Sequence, residues 1–201
     1  MSTLSVDLIE PVGSTLTLGQ SGDTITIPSG GTFVNSGTAT GFAGGKVLHI
    51  EQVVKTDTTS TTVLNSAVAD ITGMTVTMPA SVATSRYLVF WDLNLGLTGN
   101  HTFSLVLTRV VGGVETNPYV GDTAGSRNRV SSAQITPHAE GIVGSAIQYL
   151  DSPATTSAVT YKIKWGLNYA GTGYLNRGHS DADATNQVRT ASSITVMEIG
   201  V

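Results

Sequence analysis

The chain contains no cysteine, little charge and no long apolar run. Without cysteine, disulfide bonds, thiolate metal sites and thiol nucleophiles are excluded. No stretch approaches the roughly 18 uninterrupted apolar residues of a membrane-spanning helix, and the first ten residues lack the basic flank and apolar segment of a signal peptide. We therefore expect no membrane insertion. The net charge of −4 argues against a nucleic-acid partner, because proteins that bind nucleic acid usually present a basic face.

The residues that are abundant are typical of strands and turns. Charged residues make up 12% of the chain, about half the usual share, and glycine occurs 23 times among 201 residues. Valine, isoleucine and threonine favour strands, whereas the charged, unbranched residues of helix-rich proteins are scarce. Hydrophobic residues make up 40%, which is enough for a core. A surface so poor in charge must be covered by hydroxyl groups or partly buried against other chains.

The composition changes near Lys46, and we divide the chain into an extended N-terminal arm (1–45) and a head (46–201). The arm has three acids, no Lys or Arg, and short alternating apolar pieces separated by turns such as 28–31. Each piece buries too little for an isolated chain. The arm is therefore either an unfolded low-complexity segment or packs with copies of itself around an axis, which the alternation favours. Its candidate anchor and trimer residues are Leu4, Val6, Leu8, Leu16, Leu18, Ile25, Ile27 and Phe33.

The head is predicted to be an all-β, antiparallel sandwich or jelly roll, because short apolar runs alternate with turn residues. Segment 141–150 also fits helical spacing, but its glycines and its surroundings favour a strand. Many of these runs are apolar on both faces, which leaves area for contacts between subunits. Strands are expected at 47–54, 73–78, 86–95, 102–111, 141–150, 158–168 and 192–199.

Side chains that carry chemistry are scattered. His49 lies within an apolar strand and is expected in the core or an interface, and Tyr169 shares the inward parity of Tyr161 and Trp165. No Gly-x-Ser-x-Gly elbow and no phosphate-binding loop is present. We expect no catalytic residues, no cofactor and no enzyme. A weak metal candidate is the alternation His179, Asp181, Asp183, which suits a cation such as calcium; the alternative is a polar loop.

Several segments carry a resemblance: residues 149–156 (YLDSPATT), 160–163 (TYKI), 174–177 (YLNR) and 193–199 (SITVMEI), with pieces of the arm at 16–28 and 44–48. Together they resemble the head domains at the ends of tailed-bacteriophage tail fibres and related virion proteins. The resemblance implies a homotrimer of jelly-roll-like heads around a three-fold axis. It also implies attachment to a virus particle after synthesis in the host cytoplasm, and it carries over no catalytic residues.

Three functions follow as expectations. The first is a short trimeric tail fibre or receptor-binding protein, whose arm binds other virion proteins and whose head binds a host glycan or protein. The second is a trimeric capsid decoration protein that stabilises the shell. The third is a jelly-roll enzyme that is carbohydrate-active or metal-dependent. Since an arm of 45 residues spans at most ~150 Å, the chain is a stubby appendage rather than a long fibre.

The surface of the head that meets a host is predicted from its polar loops. Loops at 96–101, 112–128 and 170–191 are expected to form one exposed end. The last of these is the longest and most polar. Its candidate contact residues are Tyr174, Asn176, Arg177, His179, Asp181 and Asp183. The alternative for Tyr174 is a short edge strand in which Tyr174 or Leu175 faces the core.

Overall fold

The computed structural model describes residues 46–99, 101–135 and 141–200, together with Gln20, Thr24, Thr26 and 28–32. The chain divides into two units, Met1–Phe42 and Ala43–Val201. In the first unit, the turn predicted at 28–31 is present, with the amide of Gly31 donating to the carbonyl of Pro28 at 2.9 Å. The apolar arm positions named above lie outside the described residues, so their role in anchoring and trimerisation stays a prediction.

The second unit is built from strands. A single-turn 3-10 helix at Asn65–Ala67 lies between its second and third strands. Within the described part of the chain, no helix has the length and apolarity needed to cross a membrane. The strands are β1 (Val47–Lys55), β2 (Thr59–Thr61), β3 (Ala69–Met78), β4 (Arg86–Leu97), β5 (Thr102–Val111), β6 (Val114–Tyr119), β7 (Ser132–Ile135), β8 (Val143–Asp151), β9 (Val159–Leu167), β10 (Gly173–Leu175) and β11 (Ser192–Ile199).

The predicted all-β class is confirmed, and every predicted strand is present. The segment 141–150, for which helical spacing was the alternative, forms β8. Strand β3 begins at Ala69, four residues before the predicted start. Strands β2, β6 and β7 were not predicted, and β10 is the short strand that was the alternative for Tyr174, although it lies between β4 and β2 rather than at an edge. Strands β2 and β10 are only three residues long, and β6 is largely exposed.

Sheet A contains four continuous lines of strand, which we call tracks. Strands β11 and β10 lie end to end along one side of β4, opposite Arg86–Asp92 and Leu95–Leu97. Strands β1 and β2 pair with β11 and β10 in the same way, and β8 pairs with the other side of β4. The order of the tracks is therefore β1/β2, β10/β11, β4, β8, with every pairing antiparallel.

Sheet B has the same plan. Strand β9 lies between β3 and β5, and β6 and β7 lie end to end along the free side of β5. The order is β3, β9, β5, β6/β7. Two four-track antiparallel sheets with these crossovers make an eight-stranded jelly roll, which confirms the predicted kind of sandwich.

The core lies between the sheets because alternate side chains of each strand point inward. Trp91 of β4 is buried at the centre of sheet A, while Phe103 and Trp165 stack with ring centroids 6.1 Å apart in sheet B. Tyr161 and Trp165 are buried as expected. Tyr169 is not, since β9 ends at Leu167 and the ring of Tyr169 is 65% exposed.

Two further expectations need correction. His49 is half-exposed rather than in the core, and its Nε2 lies 2.7 Å from the Glu51 carboxylate; its alternative place in an interface stays a prediction. The loops expected to share one end of the head do not all do so. Because β5 runs the length of sheet B, its preceding loop at 98–101 and its following turn at 112–113 lie at opposite ends. We call the end where β1 begins proximal and the opposite end distal.

Candidate functional site

The residues predicted to contact a host lie in β10 and in the segment after it, and the first to be excluded is Asn176. It is fully buried, and its backbone is left-handed, with a φ of 65°. Its side-chain amide donates to the carbonyls of Lys55 and Asp57 at 2.7 and 2.9 Å, and its Oδ1 accepts from the Ser192 hydroxyl at 2.6 Å. Asn176 therefore cannot touch a host surface. Its hydrogen bonds connect the link between β1 and β2, at Lys55 and Asp57, with the first residue of β11, Ser192.

Tyr174 is also withdrawn from the surface. It lies in β10 between β4 and β2, and 9% of the residue is exposed. The Arg177 guanidinium lies 3.8 Å from its ring centroid, and Nδ1 of His179 lies 3.3 Å from its hydroxyl. The prediction of Tyr174 as a contact residue is wrong, because these side chains cover it. Of the predicted set, His179, Asp181 and Asp183 are exposed and Arg177 is half-buried.

Asp181, in this segment, is engaged internally. Asp181 accepts from the Arg189 guanidinium at 2.7 Å, and Nη1 of Arg177 lies 3.7 Å from the same carboxylate oxygen. Nowhere in the described residues do three His, Asp or Glu side chains come together as they would around an ion. His179, Asp181 and Asp183 therefore do not form the metal site weighed above. A shallow pocket of about 240 Å³ remains beside them, lined by residues 181–184 and 187–189.

The segment 176–191 is seated on Gly96, and this contact gives a testable prediction. A Cβ added to Gly96 would lie 2.1 Å from the Arg177 carbonyl oxygen and 2.7 Å from the Cα of Gly178. Gly96→Ala is expected to displace the segment and to lower the unfolding free energy by about 1–3 kcal/mol, as overpacking does. Urea unfolding measures the loss. The control is Gly144→Ala in β8, where no atom lies within 4 Å of the added Cβ; equal losses in the two variants would contradict the contact.

A buried ion pair joins the two sheets at the proximal end. Asp151 closes β8 of sheet A, and its side chain is 3% exposed. Both of its carboxylate oxygens accept from Nη1 of Arg109 at 2.9 Å, and Oδ2 also accepts from the Tyr161 hydroxyl at 2.7 Å. Burial, with the nearby Asp151 charge, raises the pKa of Tyr161 far above 10, so its hydroxyl stays a donor. The cluster is structural, because Arg109 and Tyr161 belong to sheet B.

The outer face of sheet B carries an ion-pair network suited to water. Lys162 lies 2.8 Å from Asp70 and 2.5 Å from Glu115. Lys164 contacts the same two acids at 3.8 and 2.5 Å. Hydrogen bonds from Lys162 and Lys164 lower the pKa of the Glu115 carboxyl from 4.5 to about 2. This face therefore presents paired charges across β3, β9 and β6.

The pKa of Glu115 predicts a pH dependence of stability. A carboxyl whose pKa is lowered by folding contributes stability above its unfolded pKa, and this contribution is lost as pH falls through the folded pKa. We expect Glu115→Gln to be less stable than the wild type above about pH 4.5, with the difference closing toward pH 2. Melting temperatures from pH 2 to 7 measure it. In the control background Lys162→Met/Lys164→Met the difference should be absent; a difference that persists there would sink this explanation.

The outer face of sheet A is of the opposite kind. Outward side chains line up across the tracks, and the register places Ile50 beside Met197, Met197 beside Leu88, and Leu88 beside Leu150. This apolar row runs from one edge of the sheet to the other. Ile50 is 53% and Leu150 is 45% exposed.

Neighbouring rows extend the apolar surface. Ile199 lies beside Arg86 on the proximal side, and Phe90 lies between Thr195 and Gln148 on the distal side. Leu48 and Val54 of β1 are more than half exposed. Along the described strands of this face, the charged side chains are Arg86 and Asp92, both from β4. A depression of about 440 Å³ at its centre is lined by residues 90–92, 146–148 and Ser193.

This face is the candidate functional site, since contiguous exposed apolar surface marks protein contacts. The sequence predicted only that many strands are apolar on both faces, and it did not predict which sheet would carry the exposed apolar surface. The signal was present in runs such as 47–50 (VLHI) and 87–91 (YLVFW), where no outward position is polar. The register that aligns Ile50, Met197, Leu88 and Leu150 follows from pairing between distant strands.

Comparison with known proteins adds no relative to this description. No family model matches the chain, and no curated protein matches it. The function of the chain is therefore inferred from its own residues.

Proposed function

We propose that this chain is a non-enzymatic structural protein of a tailed-bacteriophage virion, namely a short trimeric tail fibre or receptor-binding protein. Its arm binds other virion proteins, and its head binds a glycan or protein of the host surface. The observation that carries the proposal is the apolar row from Ile50 to Leu150, because such a face in a water-exposed head calls for protein contacts. The virion assignment is supported by the resemblance of segments such as 149–156 and 193–199.

The contrast between the two sheets supports an assembly role. Sheet B covers its outer side with Lys162, Lys164, Asp70 and Glu115, whose charges are paired. Sheet A carries an apolar row across its outer side, so the head has one face suited to water and one suited to protein contact. The polar groups around Asp151, Asn176 and Asp181 bond within the head. A jelly roll is also a fold of viral capsid and lectin domains, which supports the proposal by analogy only.

The first experiment determines where on the virus particle the chain is located. Antibodies raised against the full chain are bound to intact particles and imaged, and label at the tail tip is the expected result. Label spread over the capsid would overturn the tail position and support the decoration protein instead. Particles without label would overturn the virion assignment itself.

A second measurement tests the host contact. Purified full-length chain, incubated with host cells before infection, is expected to occupy the receptor and reduce adsorption of the particles. The matched control is the same chain carrying His179→Ala and Asp183→Ala, two exposed positions of the predicted contact loop. A wild-type chain that leaves adsorption unchanged would overturn the receptor-binding function.

A further inference from the structure

We infer that the head binds an acidic sugar, a pyranose that carries a carboxylate, in a shallow pocket beside Tyr119 at one side of the sandwich. The sugar ring stacks on the Tyr119 ring, and its carboxylate pairs with the Arg129 guanidinium. The inference rests on the proposed function for a host glycan as the source of the sugar. It deepens that function by naming the site, its residues and the chemical class of the ligand.

The aromatic part of the pocket is a pair of stacked tyrosines. Tyr119 is the last residue of β6, at the edge of sheet B, and Tyr149 lies in β8, at the edge of sheet A. Their ring centroids are 4.9 Å apart, with 27° between the planes. Tyr119 is 37% exposed, and because Tyr149 covers one face of its ring, the other face is left for a ligand. An aromatic face carries partial negative charge and so attracts the C–H groups of a sugar ring.

The charged part of the pocket is Arg129. Its Nε donates to the carbonyl of Gly121, a residue of the pocket wall, at 2.6 Å. Arg109 and Arg189 each form an ion pair with an aspartate. Within the part of the chain that the structure describes, no acid pairs with Arg129, and its Nη1 and Nη2 make no hydrogen bond. These two nitrogens present the fork that a carboxylate fits with two parallel hydrogen bonds.

The charge and the size of the site favour a small anion-bearing ring. The loop 120–131 carries Arg127, Arg129 and one acid, Asp122, so it has a net positive charge. All three side chains are exposed. The pocket has a volume of about 270 Å³, below the range of roughly 300–1,000 Å³ for pockets that hold drug-sized ligands. One sugar ring therefore suits the pocket better than a longer ligand.

Hydrogen bonds hold the pocket in shape without a ligand. The Ser131 hydroxyl donates to the Tyr119 carbonyl at 2.5 Å and accepts from the Leu107 amide at 2.8 Å. The amide of Gly121 donates to the carbonyl of Val130 at 3.3 Å. Since residues 119–121, 130 and 131 line the pocket, both of its walls are fixed where the loop leaves β5. A site already ordered costs less conformational entropy when a ligand binds.

Saturation-transfer NMR on the full chain tests the inference, with methyl glucuronide and methyl galacturonide as probes. At least one of them should bind, with the strongest saturation on its ring C–H protons. Methyl glucoside should bind about tenfold more weakly, because it lacks the carboxylate that pairs with Arg129. Inorganic phosphate at equal concentration should not displace the acidic sugar, because it has no ring to stack. Failure of both acidic sugars to bind, or displacement by phosphate, would overturn the inference.

Variants locate the bound sugar. Tyr119→Ala and Arg129→Met are each expected to weaken binding of the acidic sugar about tenfold, whereas Tyr119→Phe keeps the ring and should bind as the wild type does. The matched controls are Tyr169→Ala and Arg189→Met, which change side chains that are 65% and 58% exposed elsewhere on the head. Both should bind normally. Melting temperatures establish that each variant is folded.

The outcomes separate this site from the receptor-binding function. Wild-type affinity in both Tyr119→Ala and Arg129→Met would place the sugar elsewhere and overturn the inference. A chain that binds neither acidic sugar but blocks adsorption of the particles would overturn the inference and leave the proposed function standing. A chain that binds the sugar but leaves adsorption unchanged would keep the site and overturn the receptor-binding function.

Discussion

Replacing Asp151 with asparagine is expected to lower the unfolding free energy by about 3–5 kcal/mol, the usual cost of breaking a buried ion pair. The substitution removes the charge that both 2.9 Å contacts of the Arg109 guanidinium require. It leaves the guanidinium, whose side chain is 20% exposed, without a counter-ion between the sheets. Urea unfolding monitored by circular dichroism measures the loss. The dependence of the unfolding free energy on urea concentration should be the same in both proteins if unfolding is two-state.

Two controls separate the ion pair from its surroundings. Tyr161→Phe removes only the hydroxyl that donates to Asp151, and a hydrogen bond to a charged group is worth about 1.5–3 kcal/mol. Asp70→Asn breaks an ion pair whose carboxylate is 49% exposed, and a loss below ~1 kcal/mol is expected. If Asp151→Asn costs no more than Asp70→Asn, the pair does not hold the two sheets together.

Asn176→Ala is the second large effect, with an expected loss of about 2–5 kcal/mol. Part of it, roughly 1–2 kcal/mol, comes from placing a Cβ-bearing residue without a side-chain hydrogen bond in the left-handed region. The rest comes from the carbonyls of Lys55 and Asp57 and the hydroxyl of Ser192, which lose their partner; a buried polar group left unpaired costs about 1–3 kcal/mol. Thermal and urea unfolding both measure it.

Asn176→Gly divides this loss into its two parts. Glycine accepts the φ of 65° without strain, so the glycine variant should lose the hydrogen bonds alone and be more stable than the alanine variant. Asn128→Ala, in an exposed loop, should stay within about 0.5 kcal/mol of the wild type. Equal stability of the alanine and glycine variants would show that the backbone conformation contributes nothing.

The long strands of the head could be predicted because their own residues carry the pattern. In β9, Tyr161, Ile163 and Trp165 alternate with lysines, and β5 and β11 begin and end where predicted. Strand β2 could not be found, and β10 could only be an alternative for Tyr174 and Leu175, because three residues show no period. They form only because β10 is paired on both sides, with β4 and with β2.

The predicted site failed where local pattern was read without long-range contacts. Tyr174 and Asn176 lie in a glycine-rich stretch, 171–178 (GTGYLNRG), which is typical of surface loops. The burial of Asn176 depends on Lys55 and Asp57, more than a hundred residues earlier in the chain, and that of Tyr174 on the pairing of β10 with β4 and β2. Tyr169 failed for a different reason: its parity matches β9, but the strand ends two residues before it. Parity is informative only while the backbone stays extended.

The tracks that are broken in two have a consequence for how this head can change. The chain leaves β6 at Tyr119, opposite Leu107, and re-enters β7 at Ser132, opposite Leu105. The intervening residues 120–131 thus begin and end at nearly the same point of one neighbouring strand. Lengthening such a loop costs little closure free energy, about 0.6 kcal/mol for each doubling of its length. It also leaves the register of β6 and β7 against β5 unchanged. We therefore expect the head to accept foreign peptides between Ala124 and Gly125 without refolding the sandwich, which would make it a display platform.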